Sequence, residues 1–250
     1  MSIFGVLLRR ELASFFLSLP GYVIIAAITF LTGESFMQLI SALGNDPWPM
    51  PVTQMFFGTF YFWMIVLLSA PVITMRLFAL EKASGTFETL MTTPVGDLEV
   101  VAAKFSAAFI FYLIMWLPLL ACLFIISHFT NEAGALDWGT VGGMYLGIFL
   151  AGGFFISFGC LASAMTRSQM VAAMISLAFG VSQFALAWWA KNNPVSDQWQ
   201  SKLLSSLNLF DQMNDMARGA VDTRAVVFYL STTFLFLFLT LRAVESRRWK

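Results

Sequence analysis

The feature that most constrains this chain is a series of apolar stretches, each about as long as a bilayer is thick and separated from the next by a short polar segment. A helix needs about 20 apolar residues to cross the hydrocarbon core, so each stretch predicts one membrane-spanning helix. The chain is therefore expected to be an all-α membrane protein with one transmembrane domain over residues 1–250. The six predicted spans lie at about residues 22–43, 53–75, 105–126, 139–164, 170–190 and 225–241.

Composition excludes several other classes of protein. Charged residues make up 11% of the chain and hydrophobic residues 59%, whereas an ordinary soluble domain has ~25% charged residues. The formal net charge is zero, so no nucleic-acid partner is expected. Cys122 and Cys160 lie inside apolar runs, and His128 has no partner at ligand spacing, so neither a disulfide framework nor a metal site is predicted.

The distribution of Lys and Arg between the two ends of the spans predicts orientation, because basic residues near span ends are retained in the cytoplasm. We expect both termini, the 76–104 loop and the 164–169 turn on the cytoplasmic side of the membrane. The end predicted to be cytoplasmic holds Arg9, Arg10, Arg76, Lys82, Lys104, Arg167, Arg242, Arg247, Arg248 and Lys250. The opposite end holds only Lys191, Lys202, Arg218 and Arg224.

Two further helices are predicted outside the spans. Residues 2–18 carry Arg9, Arg10 and Glu11 among apolar residues at helical spacing, which indicates an amphipathic helix on the membrane surface. Residues 191–222 are polar overall, but they contain apolar positions at helical spacing and predict a second amphipathic helix. Those positions are Leu203, Leu207, Phe210, Met213 and Ala217. In the fourth span, small residues at intervals of four predict a close helix contact: Gly139, Gly143, Gly147 and Ala151.

The polar segment after the second span has the pattern of a short amphipathic helix. Gly85 permits a sharp turn, Thr86 and Glu88 favour a helix start, and Pro94 ends the helix. Its apolar face consists of Phe87, Leu90 and Met91. Taken alone, the residues favour a capped turn at the membrane interface, because such turns are common. Further along, Lys104 is expected near the membrane surface.

The same segment closely resembles the ABC-2 type family of ABC transporter permeases, whose pattern is roughly P-x-x-T-M-R, an acidic residue, then G-T-x-E-x-L and P-V. These elements are present as Pro71, Thr74–Arg76, Glu81, Gly85–Leu90 and Pro94–Val95. Six spans, an N-terminal interfacial helix and a helical region before the last span are also similar to that family, so the resemblance covers essentially the whole chain. Among its subfamilies, the chain looks most like the compact gliding-motility type permeases.

The resemblance implies a permease subunit, with export as the family tendency, in which a short cytoplasmic coupling helix between spans 2 and 3 docks on a separate ATPase. The residues it assigns to coupling are Arg76, Glu81, Gly85, Thr86, Phe87, Glu88, Leu90 and Pro94. This chain has no G-x-x-x-x-G-K-[ST] sequence, so ATP and Mg are expected in the partner ATPase, in two copies, and no cofactor or enzyme activity in this chain. A second permease copy or a related permease is also implied, and an auxiliary subunit is left open.

Other readings of the residues remain open. An ATP-independent channel or an ion-coupled carrier would show charges at the membrane midplane or inverted repeats, and neither stands out. A membrane assembly scaffold is a further alternative. Glu34 lies in the outer part of the first span, where a carboxylate is costly. Either it belongs to a substrate path, or it reaches the outer interface or a neighbouring helix.

Overall fold

The computed structural model of the chain describes residues 3–43, 52–87, 95–129, 137–192 and 208–246. Within these ranges all regular structure is helical, as the apolar pattern predicts. The helices are α1 (Ile3–Phe16), α2 (Leu19–Leu43), α3 (Val52–Gly58), α4 (Phe60–Thr74), α5 (Ala79–Ser84), α6 (Asp97–Met115), α7 (Leu117–Phe129), α8 (Trp138–Met165), α9 (Gln169–Asn192), α10 (Leu209–Ala217) and α11 (Thr223–Glu245).

Six helical runs in the described ranges are long and apolar enough to cross a membrane, so the six-span prediction is confirmed. They are Leu19–Ser41, Phe60–Ser84, Asp97–Ile125, Trp138–Met165, Gln169–Ala190 and Thr223–Glu245.

The second and third spans differ in detail from the prediction. The stretch predicted as a single second span is divided at Thr59, where the backbone is extended. The Thr59 hydroxyl caps the start of α4 by accepting a hydrogen bond from the Phe62 N–H. The third span begins at Asp97 rather than 105, because acidic side chains in the first turn stabilise a helix start. The helix of this span is broken at Trp116, and Pro118 lies in the first turn of the helix that follows, a position that suits proline.

Helix α8 forms the centre of the bundle, because 78% of the residues in its most apolar 18-residue stretch are buried. It packs on α11 and α9 through phenylalanine rings, of which Phe158 and Phe179 stack with centroids 3.7 Å apart. Two of its glycines allow neighbouring helices to approach closely. A Cβ atom at Gly152 would lie 2.2 Å from the Tyr112 ring, and one at Gly159 would lie 2.2 Å from Thr74 Oγ1.

The last part of the amphipathic helix predicted before the sixth span is observed as α10, whereas Leu203 and Leu207 lie outside the described residues. Asn208 caps its start, and its apolar face packs on α8 and α3. A Cβ atom at Gly143 would lie 2.2 Å from the Met216 carbonyl oxygen, so part of the predicted small-residue ridge receives α10 of the same chain. The Thr53 hydroxyl also donates a hydrogen bond to the Ala217 carbonyl at 2.8 Å, which joins α3 to α10.

Candidate functional site

The segment after the second span is attached to the end of α8. The Ser163 hydroxyl accepts hydrogen bonds from the backbone N–H groups of Phe78 and Ala79, both at 3.1 Å. These N–H groups lie at the start of α5, where a helix has no backbone acceptors of its own. The Lys82 ammonium donates to the carbonyl of Ala164. Helix α5 is therefore held at both its first and its second turn by the last turn of α8.

A buried lysine connects three helices at the same end of the bundle. The Lys104 side chain on α6 is 2% exposed, and its Nζ lies 2.9 Å from Glu81 Oε1 on α5 and 3.1 Å from Glu11 Oε1 on α1. Arg10 Nη2 contacts the same two oxygens at 3.3 and 2.6 Å. Two cations and two carboxylates thus form a neutral group, which we call the ionic cluster. A buried ammonium without such partners would be strongly destabilising.

The ionic cluster holds its members unequally. Glu81 Oε2 is buried and has no hydrogen-bond partner within the described residues, so one oxygen alone carries the contacts of this side chain. Burial alone would lower the pKa of the Arg10 guanidinium. The hydrogen bond to Glu11 and the negative charges of Glu11 and Glu81 together raise this pKa by more than burial lowers it, so the net shift is upward. The Lys104 ammonium also lies over the ring of Phe78, 5.4 Å from its centroid.

Apolar packing extends the contact between α1 and α6 beyond the ionic cluster. The Phe15 ring stacks on Phe111 with centroids 4.9 Å apart, and Phe16 meets the same ring edge-on at 5.2 Å. Leu7 and Glu11 are the buried residues of α1. Helix α1 therefore has one face on the bundle as well as an outer face. It runs in the same direction as α6, since Glu11 contacts Lys104 and the later Phe15 contacts the later Phe111.

The structure places the coupling candidates of the described range in different environments. Arg76 is half-buried in the turn after α4, and Glu81 faces Lys104 rather than solvent. Gly85 ends α5 with a φ of 75°, which is the left-handed conformation that favours glycine, so the predicted turn is observed. The chain is helical again at Thr86 and Phe87.

The surface of this segment is narrow and lies around Gly85. Leu80, Ala83, Ser84 and Thr86 are exposed beside the glycine. The Thr86 and Ser84 hydroxyls are 2.8 Å apart. Phe87 turns inward and is 5% exposed, with the Lys82 ammonium 5.2 Å from its ring centroid. The candidates Glu88, Leu90 and Pro94 lie outside the described residues.

Glu34 lies far along α2 from this site and is exposed. Its carboxylate makes no hydrogen bond or ion pair with the residues that the structure describes. On the opposite face of α2, Thr32 and Ser35 are buried, and the Ser35 hydroxyl lies 3.1 Å from that of Thr59. Glu34 shares its face with other exposed residues at intervals of three and four: Val23, Ala27, Phe30, Met37 and Ser41.

Sequence reasoning missed the inward partners of α5. Lys104 was expected near the membrane surface, and Ser163 was not singled out. The one available signal was position, because Lys104 is seven residues inside the helix that Asp97 begins and is the only basic residue within it. A cation so placed needs carboxylates from elsewhere in the chain. Which carboxylates these are depends on the packing of α1 and α5, which the residue pattern does not specify.

Comparison with known proteins gives one family. The model of a family described as "ABC-2 family transporter protein" matches residues 12–244. A search of curated proteins gave no match.

Proposed function

We propose, on the premise that the chain belongs to the ABC-2 family of transporter proteins, that it is an exporter subunit driven by a separate cytoplasmic ATPase. Membership makes the chain a membrane permease component of an ABC transporter rather than the ATPase itself. The cargo path would then pass between permease subunits. ATP and Mg would bind to the partner ATPase, because this chain has no G-x-x-x-x-G-K-[ST] sequence to bind the phosphates of ATP.

The observation that carries the proposal is that the segment around α5 has one exposed surface and one surface bound to the rest of the bundle. Its outer surface, from Leu80 to Thr86, is exposed and offers little charge. Its inner surface is bound to α8 through Ser163 and to α6 and α1 through the ionic cluster. An ATPase that displaced this surface would therefore move three other helices with it.

The ionic cluster would make that transmission stiff. Lys104 is fully enclosed, so separating Glu81 from it would leave charges unpaired in a medium of low dielectric constant. The lower-energy response to a force on α5 is a joint movement of α1, α5 and α6. In this proposal Glu81 is an internal connecting residue, and Gly85 and Thr86 belong to the ATPase contact, together with Glu88, Leu90 and Pro94.

The exposed spans support a second permease copy and, with it, two ATPase subunits. In the most apolar 18-residue stretches of α2, α9 and α11, only 28%, 22% and 17% of the residues are buried. The outward carboxylate of Glu34 on α2 would be costly against lipid. We propose that this face of α2 meets the partner permease at the cargo path. Both termini and the end of the bundle that carries α5 would lie on the cytoplasmic side of the inner membrane. Export is the direction that the resemblance of the sequence implies.

The test is recovery of an ATPase with the full chain. We expect purification of a tagged chain from its own host, in mild detergent, to yield one ATPase subunit per permease. Gly85→Pro should abolish this recovery while membrane insertion persists, because proline cannot adopt the positive φ at this turn. Gly219→Pro is the matched control, since Gly219 also has a positive φ, of 82°, but lies beyond α10 at the other end.

The wild-type chain failing repeatedly to recover an ATPase would overturn the proposed function. If Gly85→Pro and Gly219→Pro both retained the ATPase, the docking surface would lie elsewhere on the chain.

A further inference from the structure

The outer face of α1 carries a groove with two arginines, of which only Arg10 belongs to the ionic cluster. The groove has a volume of about 340 Å³ and is lined by Gly5, Val6, Arg9, Arg10 and Ala13. Residues 5, 9 and 13 recur every four positions and therefore share one side of the helix. Leu7 and Glu11, which face the bundle, lie on the other side.

The groove is positively charged. Arg9 is exposed and has no ion-pair partner among the residues that the structure describes. The Arg10 side chain is 50% exposed, with one edge of its guanidinium held by Glu11 and Glu81. Among the residues that the structure describes, no carboxylate lines the groove. One arginine is thus held in position and a second is available beside it. Gly5, which has no side chain, and Ala13, which has only a methyl group, leave space for a phosphate-sized anion.

The position of the groove along the bundle matches the headgroup layer of a membrane. The third span begins with two carboxylates, Asp97 and Glu99, in its first turn. Because charged side chains are costly inside the hydrocarbon, this first turn is expected outside it. Lys104, two turns along, is level with Arg10 through the ionic cluster. The two arginines consequently lie close to the boundary of the hydrocarbon.

The apolar surroundings of the groove fit acyl chains. Val6, in the groove wall, is 54% exposed, and Leu17 and Leu19, where α1 passes into the first span, are 81% and 79% exposed. The Phe15 contact with Phe111 shows that this end of α1 lies deeper along α6 than Arg10 does. Proceeding from Arg9 towards Leu19, the surface changes from cationic to apolar, as the surface of an anionic lipid changes from headgroup to acyl chain.

We propose that this groove binds an anionic phospholipid of the leaflet that contacts α1, with the headgroup phosphate between Arg9 and Arg10 and an acyl chain along the exposed leucines. The site rests on the geometry of α1 and does not require that the ATPase proposal be correct.

The test is native mass spectrometry of the delipidated full chain in detergent, titrated with dioleoylphosphatidylglycerol or dioleoylphosphatidylcholine. We expect the anionic lipid to bind in preference, and Arg9→Gln to weaken its binding about fivefold, the effect of one cation near an anionic surface. Arg9→Lys, which retains the charge, should keep most of the binding. Arg167→Gln is the control, since it removes the same charge from an exposed position in the turn between α8 and α9.

Four outcomes would overturn the proposal. These are equal binding of the two lipids, unchanged binding by Arg9→Gln, and the same loss in Arg9→Gln and Arg167→Gln. The fourth is equally tight binding of glycerol 3-phosphate, which would indicate a site for a free phosphate rather than for a lipid. Loss of ATPase recovery in Arg9→Gln with unchanged lipid binding would assign the groove to a protein contact instead.

Discussion

Lys104 is the residue on which the end of the bundle depends most strongly. Its side chain is 2% exposed and contacts one carboxylate from α1 and one from α5. These carboxylates belong to residues that are 93 and 23 positions away from it in the sequence. A lysine buried to this degree is tolerated only with compensating charge. Its two carboxylates are therefore as necessary to the local structure as the lysine itself.

Replacing Lys104 alone should be strongly destabilising. In Lys104→Met, Glu11 and Glu81 face each other with only Arg10 between them, and loss of one member of a buried ion pair costs about 3–5 kcal/mol. We expect a marked fall in the melting temperature of the purified chain. The triple variant Lys104→Met, Glu11→Gln, Glu81→Gln removes the unpaired carboxylates and should recover most of that stability, since apolar or neutral replacement of a whole buried group is often tolerated.

The triple variant also separates stability from coupling. If the ionic cluster transmits movement from α5 to α6, the triple variant should still recover the ATPase but should lose the effect of the permease on its rate of ATP hydrolysis. The measurement compares the hydrolysis rates of the complex and of the isolated ATPase. A triple variant that changed the rate as the wild-type chain does would show that the cluster serves folding alone.

At the scale of the helices, the number of spans followed from the sequence because the length and apolarity of each stretch determine it. The fourth span was expected at 139–164 and is observed as Trp138–Met165. The helix breaks at Thr59 and Trp116 were less accessible, because they depend on a local cap and on contacts with neighbouring helices. The direction of Glu81 was inaccessible for the same reason, since its partners come from two other helices.

Helix α10 depends on a close approach to α8 that one glycine makes possible. We expect Gly143→Val to displace α10, because a Cβ atom there would lie 2.2 Å from the Met216 carbonyl oxygen, which cannot move independently of its helix. Overpacking of this kind typically costs about 1–3 kcal/mol. Gly142→Val is the control, since a Cβ atom at Gly142 meets nothing within 4 Å.

Hydrogen exchange of the α10 backbone, together with the melting temperature, measures this effect. Faster exchange across Leu209–Ala217 in Gly143→Val than in Gly142→Val is the expected result. Equal exchange in the two variants would mean that α10 does not depend on this contact.

For the molecule as a whole, three spans leave most of their surface uncovered, and α2 is one of them. Along α2, Phe30 is 70% exposed whereas Ile28, two residues earlier, is 6% exposed. If the exposed face of α2 meets a second copy of the chain at a twofold axis, the same residue from two subunits comes close together there. A cysteine at position 30 should then form a disulfide between copies in the membrane, and a cysteine at position 28 should not.

The crosslink is measured on a chain in which Cys122 and Cys160 have been replaced by alanine, after oxidation in native membranes and non-reducing electrophoresis. We expect a dimer for Phe30→Cys and a monomer for Ile28→Cys, at equal expression. A crosslink to a different protein of similar mass would indicate a related permease as the partner. A monomer in both variants would exclude this face as the twofold contact and would leave Glu34 facing lipid. The cost of an unpaired carboxylate there would then have to be met by contact with the outer interface.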